Sequence, residues 1–284
     1  MPEVEALHRP RSLDEALDLM AQHGERARPL AGGTTVALAR GGRRDVVVAL
    51  ARAGLDAIEQ GPDGLRIGAM ASCAALAKGL AGSPSALSDA AAVVGTRVLR
   101  NHVTIGGNCC VVYAWSDLPV ALRALGASFE LASAGGRRRV LPEEAFFAQQ
   151  PSRVMAAGEL LVAILLPAPA PGSGSAFVKL ARNAGDHASA SVAARVELDG
   201  GIVRSARLVA GGVKGMPQVL AGAAAALAGC RAEEALEEAA RVAESEVDST
   251  SDFRGGAEWR KHVVGVLVGD AVRTAIDRAI RMGA

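Results

Sequence analysis

Aromatic side chains are scarce in this chain of 284 residues: five Phe, two Trp and one Tyr. Half of the residues are hydrophobic, so the core must be aliphatic, built from Ala, Val and Leu. Net charge is only +1, which removes the electrostatic case for nucleic acid or an anionic membrane surface. Basic residues cluster as GGRRD at 41–45 and GGRRRV at 135–140. Each follows glycines between apolar runs and reads as a solvated turn. Long apolar runs are also missing. The longest candidate, LLVAILLPAPAP, falls short of the ~20 residues a membrane-spanning helix needs and ends in prolines. MPEVEALHRPRS has no apolar core preceded by basic residues, so no secretory signal is read there, and a soluble cytoplasmic protein is expected. The four cysteines, Cys73, Cys109, Cys110 and Cys230, include no CxxC pair. Cys109 and Cys110 are neighbours, a spacing that suits neither an ordinary disulfide nor a metal site. An iron–sulfur cluster wants about four thiolates at ordered spacing, so all four read as buried reduced thiols.

What is present is a mixed pattern long enough for two domains. PRSLDEALDLMAQHG at 10–24 predicts an amphipathic helix with Leu13, Ala16, Leu17 and Met20 as its apolar stripe. Ser12 caps it, Glu15 completes a capping box, and Gly24 ends it. ARPLAGG predicts a short strand running into a glycine turn, and DVVVAL at 45–50 a buried parallel strand, with a possible short helix between them. LRIGAM, ASFELAS and GELLVAILLP predict further strands; MASCAALAKGL, SPSALSDAAAVVG and residues 117–125 predict helices. PAPAPGSGS at 167–175 breaks the composition and marks a domain boundary. Beyond it, three strand-like runs with a GG hairpin turn at 200–201 precede GMPQVLAGAAAALAG, RAEEALEEAARVAESEV and a long final helix.

Two glycine pairs stand out: AGGTT at 31–35 and TIGGN at 104–108. Glycine lets main-chain N–H groups approach a ligand with no Cβ in the way, and successive N–H groups can form an anion-binding nest. A diphosphate is the natural guest, with Thr34, Thr35 and Thr104 as hydroxyl donors. Taken singly, each pair reads more readily as a plain tight turn. Neither fits GxGxxG or GxxxxGK[ST], so Rossmann and P-loop readings fail on spacing.

In combination, LAGGTTVAL at 30–38, TIGGN at 104–108 and the Asp of SD at 116–117 resemble the FAD-binding subunits of molybdenum hydroxylases. These include the medium subunit of carbon monoxide dehydrogenase and the flavin domain of xanthine dehydrogenase. The opening HRPRSLDEAL, the stretch AFVKLARNAGDHASASVAA and the closing SDFRGGAEWRKHVVGVL are similar to that family too, so the resemblance spans nearly the whole chain. It implies an α+β protein: a two-subdomain FAD-binding fold of the PCMH type, residues 1–55 and 56–171. A C-terminal domain, 172–284, then holds a three-stranded antiparallel sheet plus helices.

The resemblance also implies residue roles. Leu30, Ala31, Gly32, Gly33, Thr34, Thr35, Val36 and Ala37 match a loop that wraps the FAD diphosphate through main-chain amides. Thr104, Ile105, Gly106, Gly107 and Asn108 match a second loop at the diphosphate and ribityl. Asp117 matches an acid that binds ribityl or ribose hydroxyls. Leu161, six residues before Pro167, matches a position near the isoalloxazine, and Lys179 a lysine beside the flavin ring, where a cation would stabilise the anionic reduced form. Departures are CCVVYAWS between Asn108 and Asp117, Trp259 in place of a Tyr, and Gly256 in place of a Ser. Tyr113 and Trp115 either flank adenine or flavin, or simply pack. His102 reads as a surface or capping residue rather than a proton donor, His187 with Asp186 as a structural ion pair, and Asp248, Asp252 and Arg254 as domain-docking contacts.

The implied function is an electron-transfer flavoprotein, an oxidoreductase subunit that takes electrons from [2Fe–2S] clusters and passes them to an external acceptor. The clusters and molybdopterin cytosine dinucleotide would sit in a small iron–sulfur subunit and a large molybdopterin subunit, assembled as a dimer of heterotrimers. A stand-alone FAD reductase or oxidase of the related fold, such as the cell-wall precursor reductases, and a non-catalytic scaffold are the alternatives.

Overall fold

The computed structural model describes residues 4–35, 45–80 and 85–283. Two compact units divide the chain. The first comprises Met1–Ala75, Val98–Val111 and Ala127–Leu166, and the second Leu76–Arg97, Val112–Gly126 and Pro167–Ala284.

The first unit opens with β1 (Val4–His8), α1 (Leu13–His23), β2 (Ala27–Leu30) and β3 (Asp45–Ala49). The strands form a parallel sheet in the order β1-β3-β2. DVVVA is the middle strand, which is why it carries no polar alternation: Val46 and Val48 are both buried. The Glu15 amide donates to the Ser12 hydroxyl at 3.2 Å. The Glu15 carboxylate reaches one residue further out than a capping box requires and accepts the Arg11 amide at 2.7 Å. Gly24 closes α1 at φ +52°. Ala16, Leu17 and Met20 pack into a core with Ala27, Val48, Leu160 and Val162. The short helix expected between Thr35 and Asp45 lies outside the described residues.

Next along the chain come β4 (Ile58–Gly61), β5 (Gly64–Gly68), α2 (Cys73–Gly79), α3 (Ala86–Val93), α4 (Arg97–Arg100), α5 (Ile105–Cys110) and α6 (Asp117–Leu125). After them lie β6 (Ser128–Ser133), β7 (Arg137–Pro142), α7 (Glu143–Phe146), α8 (Pro151–Val154) and β8 (Leu160–Pro167). These strands make a five-stranded sheet in the order β4-β5-β8-β6-β7. The basic stretch after Gly136 is not a turn but the exposed edge strand β7, where Arg138 pairs with Glu130 and Arg139 with Glu159.

The remaining elements are β9 (Ser173–Leu180), β10 (Ala190–Asp199), β11 (Ile202–Gly211), β12 (Gln218–Val219), α9 (Ala221–Leu227), α10 (Ala232–Glu246) and α11 (Ala257–Gly283). The C-terminal sheet has four antiparallel strands, not the three expected. The extra strand, β12, hides in GMPQVLAGAAAALAG, which reads as one helix. Gln218 and Val219 pair instead with Ala210 and Val209 of β11, and the Gln218 side chain is bound to Asp248. Its Oε1 accepts the Asp248 amide at 2.9 Å and its Nε2 donates to the Asp248 carbonyl at 2.6 Å. Both faces of β9–β11 are covered, by α9 and α11 and by α3 and α6. Consecutive residues are therefore buried along Ser173–Phe177 and Ala190–Ala194, which explains their run of Ala, Ser and Val. The second unit accordingly takes in α3 and α6 as well as the chain beyond Pro167. Each of the three segments expected from sequence contributes one sheet.

Candidate cofactor site

The two glycine pairs lie side by side in the first unit. A Cβ built on Gly32 would stand 1.6 Å from the His102 carbonyl oxygen, and one on Gly107 would stand 3.8 Å from the Ala31 side chain. Of the four glycines only Gly33 has a positive φ, +74°. Gly32 is required by contact, because any side chain there would part the first turn from the segment leading into the second.

The first turn leaves its donors unspent. Among the described residues, the amides of Gly32, Gly33 and Thr34 and the hydroxyls of Thr34 and Thr35 make no hydrogen bond. Leu30 ends β2 opposite Ala49 and holds the turn at the sheet's C-terminal edge. Val36 and Ala37 lie outside the described residues.

The second turn is different from the expectation. TIGGN is the cap and first turns of the helix α5, and its amides are taken. Ile105 donates to the Ala71 carbonyl at 2.9 Å and Gly106 to Ala69 at 2.8 Å. Gly107 donates to the Thr104 hydroxyl at 3.2 Å, and Asn108 to the Thr104 carbonyl at 3.0 Å. A grip on phosphate by these main-chain nitrogens is therefore not open. Gly106 serves packing instead: a Cβ there would meet Ala69 at 2.7 Å. What the segment still offers is side-chain chemistry. Asn108 Oδ1 is buried with no partner among the described residues, an acceptor waiting for a donor.

Leu161 lies in β8, opposite Leu131 on β6, and is buried. Cys109 and Cys110 follow the turn. Burial pushes the Cys110 thiol up to about 12 and raises Cys109 well above the usual range, with Cys110 and Cys73 adding to the latter. A raised pKa disfavours the thiolate, the reactive form of cysteine.

The second unit holds Asp117 and Lys179. Their side chains are 6% and 5% exposed and joined at 2.9 Å. Burial pushes the Asp117 carboxyl up to about 6, against the pull of Lys179. Asp117 Oδ1 is buried without a partner among the described residues. Lys179 Nζ also donates to the carbonyls of Val93 at 2.7 Å and Asp186 at 3.2 Å. All three of its N–H donors are spent within the protein, so the expected direct contact with a flavin ring has no donor left. Carbonyl acceptors such as these carry no signal in a sequence.

Tyr113 and Trp115 stack on each other at 5.0 Å, with the Arg254 guanidinium 4.4 Å over Trp115. His187 lies against Trp115 at 5.1 Å rather than forming the expected ion pair with Asp186. Burial, then Arg254 and Lys179, hold its pKa down. Asp248 pairs with Lys214, and Asp252 with Arg254 and Arg260, so these are contacts inside one unit. His102 is exposed, and its contribution is its carbonyl oxygen.

A turn whose amides and hydroxyls are unspent among the described residues, with a buried amide oxygen likewise unpartnered on the neighbouring segment, fits a polyol diphosphate. Residues 3–169 match the family described as the FAD binding domain in molybdopterin dehydrogenase. The chain belongs to this family. Residues 175–275 match the CO dehydrogenase flavoprotein C-terminal domain. The flavoprotein is 33% identical to the carbon monoxide dehydrogenase medium chain of Afipia carboxidovorans, over 96% of each chain. It is 30% identical to subunit alpha of the 6-hydroxypseudooxynicotine dehydrogenase complex of Paenarthrobacter nicotinovorans, over 94% of this chain and 93% of that one. Among solved structures, reconstituted CO dehydrogenase from Oligotropha carboxidovorans superposes with a TM-score of 0.90 at 32% identity, covering 98% of this chain and 99% of that one. Among the described residues no helix is long and apolar enough to cross a membrane.

Proposed function

We propose that this flavoprotein is the FAD-carrying electron-transfer subunit of a heteromeric molybdopterin-dependent dehydrogenase or hydroxylase. The observation that carries the reading is the first turn: among the described residues, three adjacent amides and two hydroxyls find no protein acceptor, at a glycine pair that leaves no Cβ in the way. Such donors suit the two negative charges of a diphosphate. Gly32, Gly33, Thr34 and Thr35 would hold it, with Leu30 and Ala31 shaping the turn and Val36 and Ala37 continuing the matched loop. Gly107 lies beside that turn, Thr104, Ile105 and Gly106 would position it there, and Asn108 Oδ1 would accept from a ribityl or amide donor. Asp117 Oδ1 would accept from a sugar hydroxyl, and Leu161 would supply apolar surface. FAD, when bound, supplies the one- and two-electron redox chemistry that links iron–sulfur clusters to a two-electron acceptor.

The residues of this chain bind and orient; none is assigned to proton transfer on a substrate. Oxidation of the substrate would belong to a large molybdopterin subunit, and the [2Fe–2S] clusters to a small one, in a dimer of heterotrimers. A cytoplasmic location is part of this reading, since all four thiols are unbridged. The test is direct. Purified flavoprotein should bind FAD at least about tenfold more tightly than FMN, because only FAD carries the diphosphate–adenosine arm that the first turn grips. Equal affinity for the two, or for neither, defeats the reading. Copurification with the products of neighbouring reading frames should bring molybdenum and iron.

A further inference from the structure

Lys179 ties together three segments of the second unit. Its Nζ reaches the Val93 carbonyl at the end of α3, Asp117 at the start of α6, and the Asp186 carbonyl in the loop after β9. The side chain is 5% exposed. We propose that Lys179 is a positioning residue: it fixes Asp117 and the Asp186–His187 loop in place and makes no bond to a cofactor itself. This rests on the reading of Asp117 as an acceptor for a sugar hydroxyl.

The chemistry follows from burial. A carboxylate taken out of water is unstable unless paired, and Asp117 already sits at about 6 because burial outweighs the help of Lys179. With Lys179 gone, the desolvation remains and the attraction does not, so the carboxyl holds its proton at neutral pH. Other charges nearby do not replace it. Asp186 is itself an acid, bonded to Asn183 at 3.1 Å, and His187 is held towards its neutral form. Arg254 is engaged by Trp115 and Asp252.

Two measurements decide the matter on the full chain. Carbon-13 NMR of aspartate carboxyls in the FAD-free protein, with Asp117→Asn for assignment, should place the Asp117 midpoint near pH 6. In Lys179→Met the midpoint should rise by at least about one unit, a tenfold change in proton affinity. An unmoved midpoint overturns the inference, whether or not FAD binds. Lys179→Arg, which keeps the charge should the Met variant fail to fold, should hold the midpoint near the wild-type value; a rise like that expected for Met also overturns it. In the reconstituted protein, Lys179→Met should weaken FAD at pH 7.5 and leave the flavin midpoint potential unchanged. A potential that falls, with Asp117 titrating as before, means that Lys179 acts on the flavin directly. Failure of the wild-type chain to bind FAD would sink the flavin reading alone, because the carboxyl titration still tests the role of Lys179.

Discussion

AGGTT and TIGGN look alike on paper and differ in the fold. In the first, the amides of Gly32, Gly33 and Thr34 find no protein acceptor among the described residues. In the second, four successive amides from Ile105 to Asn108 are all satisfied internally. The glycines differ in cause as well. Gly33 is needed for its φ of +74°, whereas Gly32 and Gly106 are needed because backbone or side-chain atoms of His102 and Ala69 occupy the place of a Cβ. A glycine pair in a sequence reports a special backbone angle or a close neighbour, not which of the two. Whether that neighbour is a ligand or the protein itself is decided by where the amides go.

Gly32→Ala should have the largest effect. Its Cβ cannot coexist with the His102 carbonyl at 1.6 Å, and the obstacle is backbone, which cannot swing aside. The loss of stability should reach at least about 3 kcal/mol, with FAD binding lost as the turns separate. Denaturant unfolding of the FAD-free chain measures the first part. A variant of wild-type stability would mean that the two segments are not joined at this point, and the comparison would lose its premise.

Much of the surrounding fold was legible in the residues. The capped stripe of α1, the uninterrupted valines of β3 and the GG turn before β11 each obey a local rule that tertiary packing does not override. The residues of β12 did not reveal themselves, because they pair with β11 and the Gln218 side chain is bound to Asp248, thirty residues away in the chain. The candidate site was legible as a set of residue types and only partly as chemistry. Asn108 and Asp117 each present a buried oxygen with no partner among the described residues. The amides of the second turn are spent on Ala69 and Ala71, and Lys179 on two carbonyls and Asp117. Main-chain carbonyls are common to every residue, so no pattern of side chains could announce them.

Thr104→Val probes the second turn at intermediate size. The substitution keeps shape and removes the acceptor for the Gly107 amide, which should cost about 1 kcal/mol of stability. FAD affinity should change little in protein refolded below its melting temperature. A variant that binds FAD more tightly, at unchanged stability, would show that the freed Gly107 amide turns to the ligand, and the two turns would then be alike after all.

Asn108→Ala gives the smallest change in stability and the cleanest division between the turns. Its Oδ1 has no partner among the described residues, so removing it relieves a buried acceptor, and alanine suits the interior of α5 better than asparagine. Unfolding free energy should stay within about 0.5 kcal/mol of wild type. FAD affinity should fall by about 1 kcal/mol, roughly fivefold, since a ligand donor loses its partner. Isothermal titration of the FAD-free chain reads the affinity, and urea unfolding of the same sample reads the stability. If stability moves and affinity does not, Asn108 is a structural residue, and the whole second segment is scaffold for the first turn. If affinity alone moves, the segment contributes through one side chain what the first turn contributes through its backbone.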